Sequence, residues 1–491
     1  MYSDKKDSIG KILLILSVFI LIFLISYTIK KPFLSGDEFY TLQIVKLPFF
    51  ESIYRISLDV HPPLYYIILK VITKFLTLCK IPYNSMVLLR ICSIIPFFIL
   101  ILFSLTKIRK DYGWLTSGLF IFSISTLSEF SKFFLYIRMY SWGLLFLFLT
   151  FVFFIDVLVK SDRKSWILFT IFSILGCYTH YFVAIPTVIL YLTLLGMILL
   201  KENRLEKIKE IKKWLISSVV CILLYIPWIA VVISQVSHVS KSYWIPPVTL
   251  NTVINFFIYA GTLSDYLVFK VLSLVILIVF LILFIKNYKS FSKKTNLLII
   301  SAFIMFLGTI VLGIIISFLM RPIIVNRYLI FSIGIIWFVF SIIASKLYEN
   351  KKIFIPLIIL LLVLGGVGLY SQMELVDQLH NDFISQKNMV DDLNNNNNVF
   401  IILSPAALQY STVFFEKGEL YSTVNLTDPN VKIINETDIP NILNSTDKDV
   451  YIIKYSDNKQ AQIEKIHNLG FIDYMIVDDP AGGFTIFKYA K

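Results

Sequence analysis

The sequence has few charged residues for its length. Asp, Glu, Lys and Arg make up 16% of the 491 residues, whereas an ordinary soluble domain carries about 25%. Hydrophobic residues reach 57% of the chain, above the roughly 45–50% that is typical of soluble domains. These two proportions together exclude a water-soluble enzyme of this length.

Cysteine is also scarce, since the chain has only four. They are Cys79, Cys92, Cys177 and Cys221, and each lies in or beside an apolar segment. This spacing fits neither a disulfide framework nor a zinc site. We interpret the four cysteines as packing residues at the level of the lipid.

Acidic residues are scarce in the first 370 positions, which hold 15 of them against 36 Lys and Arg, a net charge of +21. Residues 371–491 have the opposite balance, with 17 acidic and nine basic residues, a net charge of −8. A nucleic-acid-binding protein concentrates its positive charge on one soluble face. Here the positive charge lies in short clusters between apolar runs, which indicates membrane topology and no nucleic-acid partner.

Eleven long apolar runs predict a polytopic α-helical membrane protein, because about 17–25 apolar residues span a bilayer as a helix. The first run is not followed by a small-residue cleavage site, so we expect an uncleaved anchor. The predicted spans are approximately Ile9–Ile29, Ser85–Leu105, Trp114–Leu127, Tyr140–Val159, Trp166–Tyr178, Phe182–Leu200, Trp214–Val236, Tyr266–Ile285, Leu297–Leu319, Tyr328–Ser345 and Ile353–Tyr370.

Basic clusters occupy every second connection between these spans, and short cytoplasmic loops carry an excess of Lys and Arg. The pattern predicts a plasma-membrane protein with a cytoplasmic amino terminus and an outer segment 371–491. The clusters are residues 107–110, 160–164, 201–213, 286–294 and 346–352.

The chain divides by composition into a membrane module, residues 1–370, and an extracytoplasmic domain, residues 371–491. In the second part, four short runs at Val399–Leu403, Val450–Lys454, Tyr474–Val477 and Phe484–Phe487 predict strands. Two others, Ala407–Phe415 and Lys459–Leu469, predict helices. We therefore expect a small α/β domain there.

The first outer loop, residues 30–84, is the longest connection in the membrane module. The segment Leu64–Lys80 is too short and too charged to span a bilayer. Its charged residues Lys70 and Lys74 lie four positions apart, which places both on one side of a helix. We expect this helix to lie in the membrane interface with its apolar face toward the lipid. Residues Leu42–Ile56 have a similar pattern.

The outer loops hold the candidate functional residues. Asp37-Glu38 follows the first span, where adjacent carboxylates could deprotonate a hydroxyl or bind a divalent cation; the alternative is a solvated loop pair. His61 precedes two prolines and is either structural or a hydrogen-bond partner for a sugar or phosphate.

Three arginines lie at the outer ends of predicted helices, namely Arg138, Arg321 and Arg327. Each either extends toward lipid headgroups or helps to bind a phosphate, for which the planar guanidinium is well suited. His180-Tyr181 and Tyr243-Trp244 lie in outer loops as well, where aromatic residues either form an interfacial belt or contact a substrate.

Several of these elements, in this order, resemble the GT-C membrane glycosyltransferases. The similarity is greatest to the bacterial and archaeal relatives of protein O-mannosyltransferases and aminoarabinose transferases, and it covers about residues 1–370. It is carried by Asp37-Glu38, His61-Pro-Pro-Leu-Tyr-Tyr66, Arg138-Met-Tyr140, His180-Tyr181, Tyr225-Ile-Pro-Trp228 with Tyr243-Trp244, and Asn326-Arg-Tyr328.

The resemblance implies an inverting transfer of a sugar from a polyprenyl-phosphate donor in the bilayer to an extracytoplasmic acceptor. Asp37 is then the expected base, with Glu38 beside it. Arg138, Arg321, Arg327 and Tyr328 are expected at the donor phosphate. Residues expected to contact substrate or to form its loop are His61, Tyr65, Tyr140, His180, Tyr181 and Trp244.

The chain departs from the family pattern in one place. Relatives often carry an acidic residue just before the Arg-x-Tyr element, where this chain has Tyr136-Ile137, and Glu129 is the nearest acid. Metal use varies across the superfamily, so the resemblance implies no certain cofactor, and a divalent metal remains an open alternative.

Two other function classes compete with a transferase. A transporter or lipid-linked-sugar flippase would carry charged or broken-helix sites near the bilayer midplane and paired repeats. The predicted spans are nearly free of charge at their centres and no repeat stands out. The second alternative is a non-catalytic scaffold that displays the acidic carboxy-terminal segment.

Overall fold

The structure is a computed structural model that describes residues 2–82, 84–241, 245–261, 267–395, 399–402, 431–433, 450–455, 472–478 and 484–490. The chain groups into two compact units. Unit 1 comprises Met1–Ser26 and Leu47–Met373, and unit 2 comprises Tyr27–Lys46 and Glu374–Lys491. The predicted helices Ala407–Phe415 and Lys459–Leu469 lie outside the described residues, as does Trp244.

Helices dominate the described part of the chain. The α-helices are α1 (Tyr2–Lys30), α2 (Gly36–Lys46), α3 (Phe49–Leu58), α4 (Leu64–Leu78), α5 (Ser85–Phe103), α6 (Arg109–Thr126), α7 (Ser128–Leu135), α8 (Tyr140–Lys160), α9 (Arg163–Cys177), α10 (Tyr181–Leu199), α11 (Arg204–Lys241), α12 (Leu250–Ala260), α13 (Leu267–Asn287), α14 (Lys293–Leu319), α15 (Ile330–Lys346) and α16 (Lys351–Asn395).

Among the described residues, nine helical stretches are long and apolar enough to cross a membrane. They are Asp4–Lys30, Ser85–Thr126, Tyr140–Lys160, Tyr181–Leu199, Arg204–Ser237, Val268–Ser290, Lys293–Leu319, Asn326–Glu349 and Lys351–Ile384. This makes the chain a multi-pass membrane protein.

The stretch Ser85–Thr126 contains two of the predicted spans joined by a reversal. Gly113 has φ 87° and ψ 169°, a conformation that is essentially restricted to glycine. The Ser104 and Ser117 hydroxyls each donate to the other residue's carbonyl, at 3.4 and 3.0 Å. In a straight helix these residues would lie about 20 Å apart, so the chain turns back on itself here.

The fifth predicted span corresponds to α9, which has 15 residues and is about 22 Å long. A helix that crosses the roughly 30 Å hydrocarbon core without help needs about 20 residues. The predicted number of eleven spans therefore stays a prediction.

Helix α15 lies at the centre of unit 1, and an 18-residue apolar segment within the stretch Asn326–Glu349 is wholly buried there. It is apolar on every side, which is the pattern of a helix surrounded by others. It packs against α6, α8, α13 and α14. By contrast, α11 exposes apolar residues such as Leu223, Ile226 and Ile233, as expected for a helix that faces lipid.

Two short helices of the first outer loop expose one apolar face each. In α3, Phe50, Tyr54 and Leu58 are exposed while Ser52 and Ile56 are buried. In α4, Val71, Phe75 and Leu78 are exposed, and Tyr65, Tyr66 and Leu69 are buried on the opposite side. Exposed apolar residues at helical spacing fit an interfacial helix, and the membrane position itself stays a prediction.

The carboxy-terminal part of unit 2 contains a five-stranded sheet of order β2-β1-β3-β5-β4. Its strands are β1 (Val399–Ile402), β2 (Val431–Ile433), β3 (Val450–Tyr455), β4 (Ile472–Asp478) and β5 (Phe484–Ala490). The first two pairings are parallel and the last two antiparallel. The four predicted strands correspond to β1, β3, β4 and β5, and β2 was not predicted.

Candidate active site

A network of hydrogen-bonded polar side chains links the first outer loop to the start of α8 in unit 1. His61 Nδ1 lies 2.8 Å from Asp59 Oδ2, and an Arg138 terminal nitrogen lies 3.3 Å from His61 Nε2. Because a guanidinium can only donate, His61 Nε2 accepts from Arg138 and His61 Nδ1–H donates to Asp59. The second terminal nitrogen of Arg138 donates to the Tyr66 hydroxyl at 3.2 Å.

Local backbone structure positions each residue of this hydrogen-bonded network. Asp59 is the C-cap of α3, and Tyr66 lies in the first turn of α4. Pro62 and Pro63 restrict the backbone between them. Arg138 lies in the short connection between α7 and α8 and is only 3% exposed.

The charges and hydrogen bonds of this network favour an ionised Asp59. Burial alone would raise the pKa of Asp59, but the hydrogen bond from His61 and the positive charge of Arg138 hold it below its usual value. The stabilisation that this carboxylate contributes is therefore present above the unfolded-state pKa of about 3.9 and is lost only as the pH falls through its lower folded-state pKa.

His180 lies next to this network, in the connection between α9 and α10. It is 3% exposed, and its ring centroid lies 5.7 Å from that of His61, 4.9 Å from Tyr328 and 4.9 Å from Phe331. Burial, the His61 ring and the charges of Arg138 and Arg327 hold the pKa of His180 well below its usual value. His180 is therefore neutral at pH 7.

The hydrogen bonding of His180 fixes its tautomer. The Phe182 backbone N–H donates to His180 Nδ1 at 3.0 Å, so the proton of the neutral ring is on Nε2. Nε2 is buried and has no hydrogen-bond partner among the described residues. A buried donor in this state is rare in folded proteins.

Tyr328 and Arg327 lie on the other side of His180, in a short 3₁₀ helix before α15. Tyr328 is buried, and the Arg327 guanidinium carbon lies 5.6 Å from the centroid of its ring. The structure therefore brings together His61, Arg138, His180, Arg327 and Tyr328. Arg321 is half-buried in the extended segment that follows α14.

Glu129 and Tyr259 form a second polar contact in unit 1. The Tyr259 hydroxyl donates to Glu129 Oε2 at 2.8 Å. Burial and the adjacent carboxylate of Glu129 raise the pKa of Tyr259 well above its usual value, although Arg327 opposes this change. Tyr259 thus stays protonated and acts as a donor.

Of the other predicted contact residues of unit 1, Tyr65 and Tyr140 are buried and Tyr181 is half-buried. Tyr140 has its ring centroid 6.0 Å from that of His180. The Tyr181 hydroxyl donates to Gln235 Oε1 at 2.5 Å and accepts from Trp228 Nε1 at 3.0 Å. The Tyr65 hydroxyl lies 2.8 Å from Ser93 Oγ, and burial raises the pKa of Tyr65.

Asp37 and Glu38 open helix α2 in unit 2. Glu38 is fully buried, and its Oε2 accepts from the Ser35 backbone N–H at 2.9 Å and the Ser35 hydroxyl at 3.1 Å. This is the carboxylate half of a capping box. Asp37 is half-buried, and its position in the first turn of a helix favours a negative charge.

Several site residues were missed by the sequence analysis. Tyr66 was noted only as part of a motif and not as a partner of Arg138, and Asp59, the partner of His61, was not singled out. A further buried charge outside this group was also missed: Arg90, in α5, donates to the Leu135 carbonyl at 3.0 Å. A charged residue inside an apolar run is itself a functional signal, and this rule would have found Arg90.

No metal cluster is present in the described part of the chain, because no group of three or more His, Cys, Asp or Glu side chains lies close enough to hold an ion. The predicted contact residue Trp244 lies outside the described residues.

Comparison with protein-family models finds no match, and comparison with curated protein sequences finds none either. Solved structures do match. The chain superimposes on ArnT from Cupriavidus metallidurans in the apo state with a TM-score of 0.54 and 11% identity, covering 96% of this chain and 97% of that one. The same protein bound to undecaprenyl phosphate gives 0.53 and 10%, with the same coverage.

An archaeal structure matches less well. The Archaeoglobus fulgidus oligosaccharyltransferase in the apo form gives a TM-score of 0.48 and 9% identity, covering 92% of this chain and 71% of that one. At these identities the likeness to ArnT shows the fold alone, which is the GT-C fold.

Proposed function

We propose that this protein is an integral membrane glycosyltransferase that moves a sugar from a polyprenyl-phosphate donor to an extracytoplasmic acceptor. The observation that carries the proposal is the group formed by buried Arg138, buried His180 and half-buried Arg327 in a chain with the GT-C fold. The ArnT structure with undecaprenyl phosphate supports a lipid-phosphate donor for this chain as well. The acceptor is a protein hydroxyl, a glycolipid or a cell-surface glycan.

The donor phosphate is proposed to bind at Arg138, Arg321, Arg327 and Tyr328. Arg138, which is buried, and Arg327, which is half-buried, both place positive charge near His180. Planar guanidinium groups can also donate two parallel hydrogen bonds to phosphate oxygens. The Asp59–His61 pair supports this role, because it fixes the position of Arg138 before any ligand binds.

Asp37 is proposed as the general base. Its carboxylate would accept the proton of the acceptor hydroxyl while the acceptor oxygen bonds to the anomeric carbon of the sugar. The bond between that carbon and the phosphate oxygen breaks in the same step, and its electron pair leaves with the polyprenyl phosphate. A single displacement of this kind inverts the anomeric carbon and needs no second, covalent carboxylate.

Glu38 is proposed as a positioning residue. Its carboxylate accepts two hydrogen bonds from Ser35 at the start of α2, which supports a role in ordering this turn. Glu129, the nearest acid to the Arg-x-Tyr element, accepts a hydrogen bond from Tyr259. We propose that it orders the site through Tyr259.

Residues 1–370 are proposed as the catalytic membrane module and residues 371–491 as an extracytoplasmic domain. Basic residues in alternate loops support a cytoplasmic amino terminus. With this orientation the site opens at the outer surface, where a lipid-linked donor arrives by lateral diffusion.

Profiling of lipid-linked sugars in cells with and without the protein tests this function. We expect a polyprenyl-phosphate sugar to accumulate in the absence of the protein and to be accessible to an impermeant sugar-oxidising reagent on intact cells. A flippase would instead leave the accumulating lipid on the cytoplasmic side. An unchanged lipid profile would contradict both functions.

A further inference from the structure

We infer that His180 Nε2–H is an uncharged hydrogen-bond donor to the phosphate of the lipid donor. This inference rests on the proposed function and adds a residue to its phosphate site. The sequence analysis placed His180 only among residues that contact substrate or form its loop. The structure assigns it a specific atom and a specific partner class, as the following contacts show.

The ring of His180 cannot turn. The Phe182 backbone N–H holds Nδ1 at 3.0 Å, and the rings of Tyr328 and Phe331 each lie 4.9 Å away, centroid to centroid. Nε2 therefore points in one direction, with its hydrogen in place. Because Nε2 is buried and has no partner among the described residues, the free protein carries the cost of an unmade hydrogen bond.

The surroundings of His180 favour an anion as the partner of Nε2–H. His180 lies between two arginines, since His61 links it to Arg138 and Tyr328 links it to Arg327. Both positive charges act on the His180 ring. A sugar hydroxyl gains little from two cations, whereas an oxygen of a phosphate gains from both cations and from the N–H donor.

A neutral hydrogen-bond donor suits the position of His180. When the sugar leaves, the polyprenyl phosphate gains negative charge, and donors that are already oriented stabilise that charge in the transition state. A third cation beside Arg138 and Arg327 would add repulsion in the free protein. A neutral histidine provides the hydrogen bond without that repulsion.

Two substitutions distinguish the role of the Nε2–H group from that of the rest of the His180 ring. His180→Asn keeps an acceptor near the position of Nδ1, and so preserves the contact with Phe182, but removes the Nε2 donor. His180→Gln places an amide N–H near the position of Nε2. Both variants are purified in detergent, and their thermal unfolding is measured beside that of the wild type.

Binding of undecaprenyl phosphate and of undecaprenol is then measured for each protein, because the ratio of the two affinities isolates the phosphate. We expect the wild type to prefer the phosphate and His180→Asn to lose about tenfold or more of that preference, as is typical for a hydrogen bond to a charged group. His180→Gln should keep most of it.

Equal preference in His180→Asn and the wild type would overturn the role of His180 while leaving the proposed function intact. Equal loss in both variants would overturn it too, because it would show that the ring and not the N–H is required. A wild type with no preference for phosphate over alcohol would refute the phosphate site itself, and the inference with it.

If neither variant folds, the ¹⁵N signal of Nε2 in histidine-labelled wild-type protein decides the question. The chain has five histidines, so the other four are replaced by glutamine one at a time, and the Nε2–H signal that remains in all four spectra is that of His180. A change of the His180 signal on addition of undecaprenyl phosphate, but not of undecaprenol, supports the inference. An unchanged signal overturns it.

Discussion

Arg138 is held by side chains that are distant in sequence. Its partners His61 and Tyr66 lie 77 and 72 positions earlier in the chain. The sequence analysis identified His61, Arg138, His180 and Tyr328 one by one, from their types and their position in outer loops. It could not pair them, because spacing over such distances carries no information about contact. Asp59, in contrast, lies only two positions before His61, and such a spacing in a loop does not by itself show that two side chains are in contact.

The first prediction, at the scale of a single residue, concerns Arg327. Arg327→Ala should weaken binding of the donor lipid by about tenfold to a hundredfold, because a hydrogen bond to a charged group contributes on the order of 1.5–3 kcal/mol. Acceptor affinity should change less. The measurement is the apparent affinity for undecaprenyl phosphate in purified protein.

The matched control for this prediction is Arg55→Ala. Arg55 is another outer-side arginine, but its side chain is 53% exposed, so its loss should leave donor affinity unchanged. Equal donor affinity in the wild type and in Arg327→Ala would instead assign Arg327 to contacts with lipid headgroups.

At the scale of elements, apolar runs and turn residues were sufficient to locate most helices and four of the five strands. Strand β2 has only three residues, which is too short for an alternating pattern to be recognised. The connection between α5 and α6 was predicted as a basic loop, and the structure has an almost continuous helical stretch that reverses at Gly113. A single residue with positive φ does not change the hydrophobic pattern that the prediction used.

The reversal at Gly113 gives the second prediction. Gly113→Ala should lower the stability of the folded protein by on the order of 1–3 kcal/mol, because φ 87° with ψ 169° is strained for any residue with a Cβ. Thermal unfolding in detergent measures the effect.

Gly196→Ala is the control, since an added Cβ there meets no atom within 4 Å. Gly196 lies inside α10, where alanine favours the helix, so this variant should unfold at the wild-type temperature or above it. Similar unfolding temperatures for Gly113→Ala and the wild type would show that the reversal is not strained.

At the scale of the whole molecule, composition predicted a membrane module and a separate acidic carboxy-terminal part. It did not predict that Tyr27–Lys46 groups with the carboxy-terminal unit. The contacts responsible are long-range, since the Tyr27 hydroxyl donates to Asp377 at 2.7 Å across 350 positions, and His380 Nδ1 donates to the Pro32 carbonyl at 2.8 Å. Composition alone cannot show such pairings.

Topology is the third prediction. An impermeant thiol reagent on intact cells should label the native Cys79, which is exposed in the first outer loop, and should label Ser445→Cys in the predicted outer domain. Asn203→Cys in a Cys79→Ser background should react only after the membrane is made permeable. Labelling of position 203 with protection of positions 79 and 445 would reverse the orientation and move the site to the cytoplasmic side.

The central claim is that Asp37 is the base for transfer of the sugar, and the rate of Asp37→Asn tests it most directly. Asparagine keeps the shape of the side chain and removes its basicity, so turnover should fall by roughly 10²–10⁴-fold, while membrane yield and undecaprenyl phosphate binding stay at wild-type levels. Glu38→Gln should cost much less, because glutamine can keep the contact with Ser35. Near-normal turnover in Asp37→Asn, with intact yield and donor binding, would contradict the account.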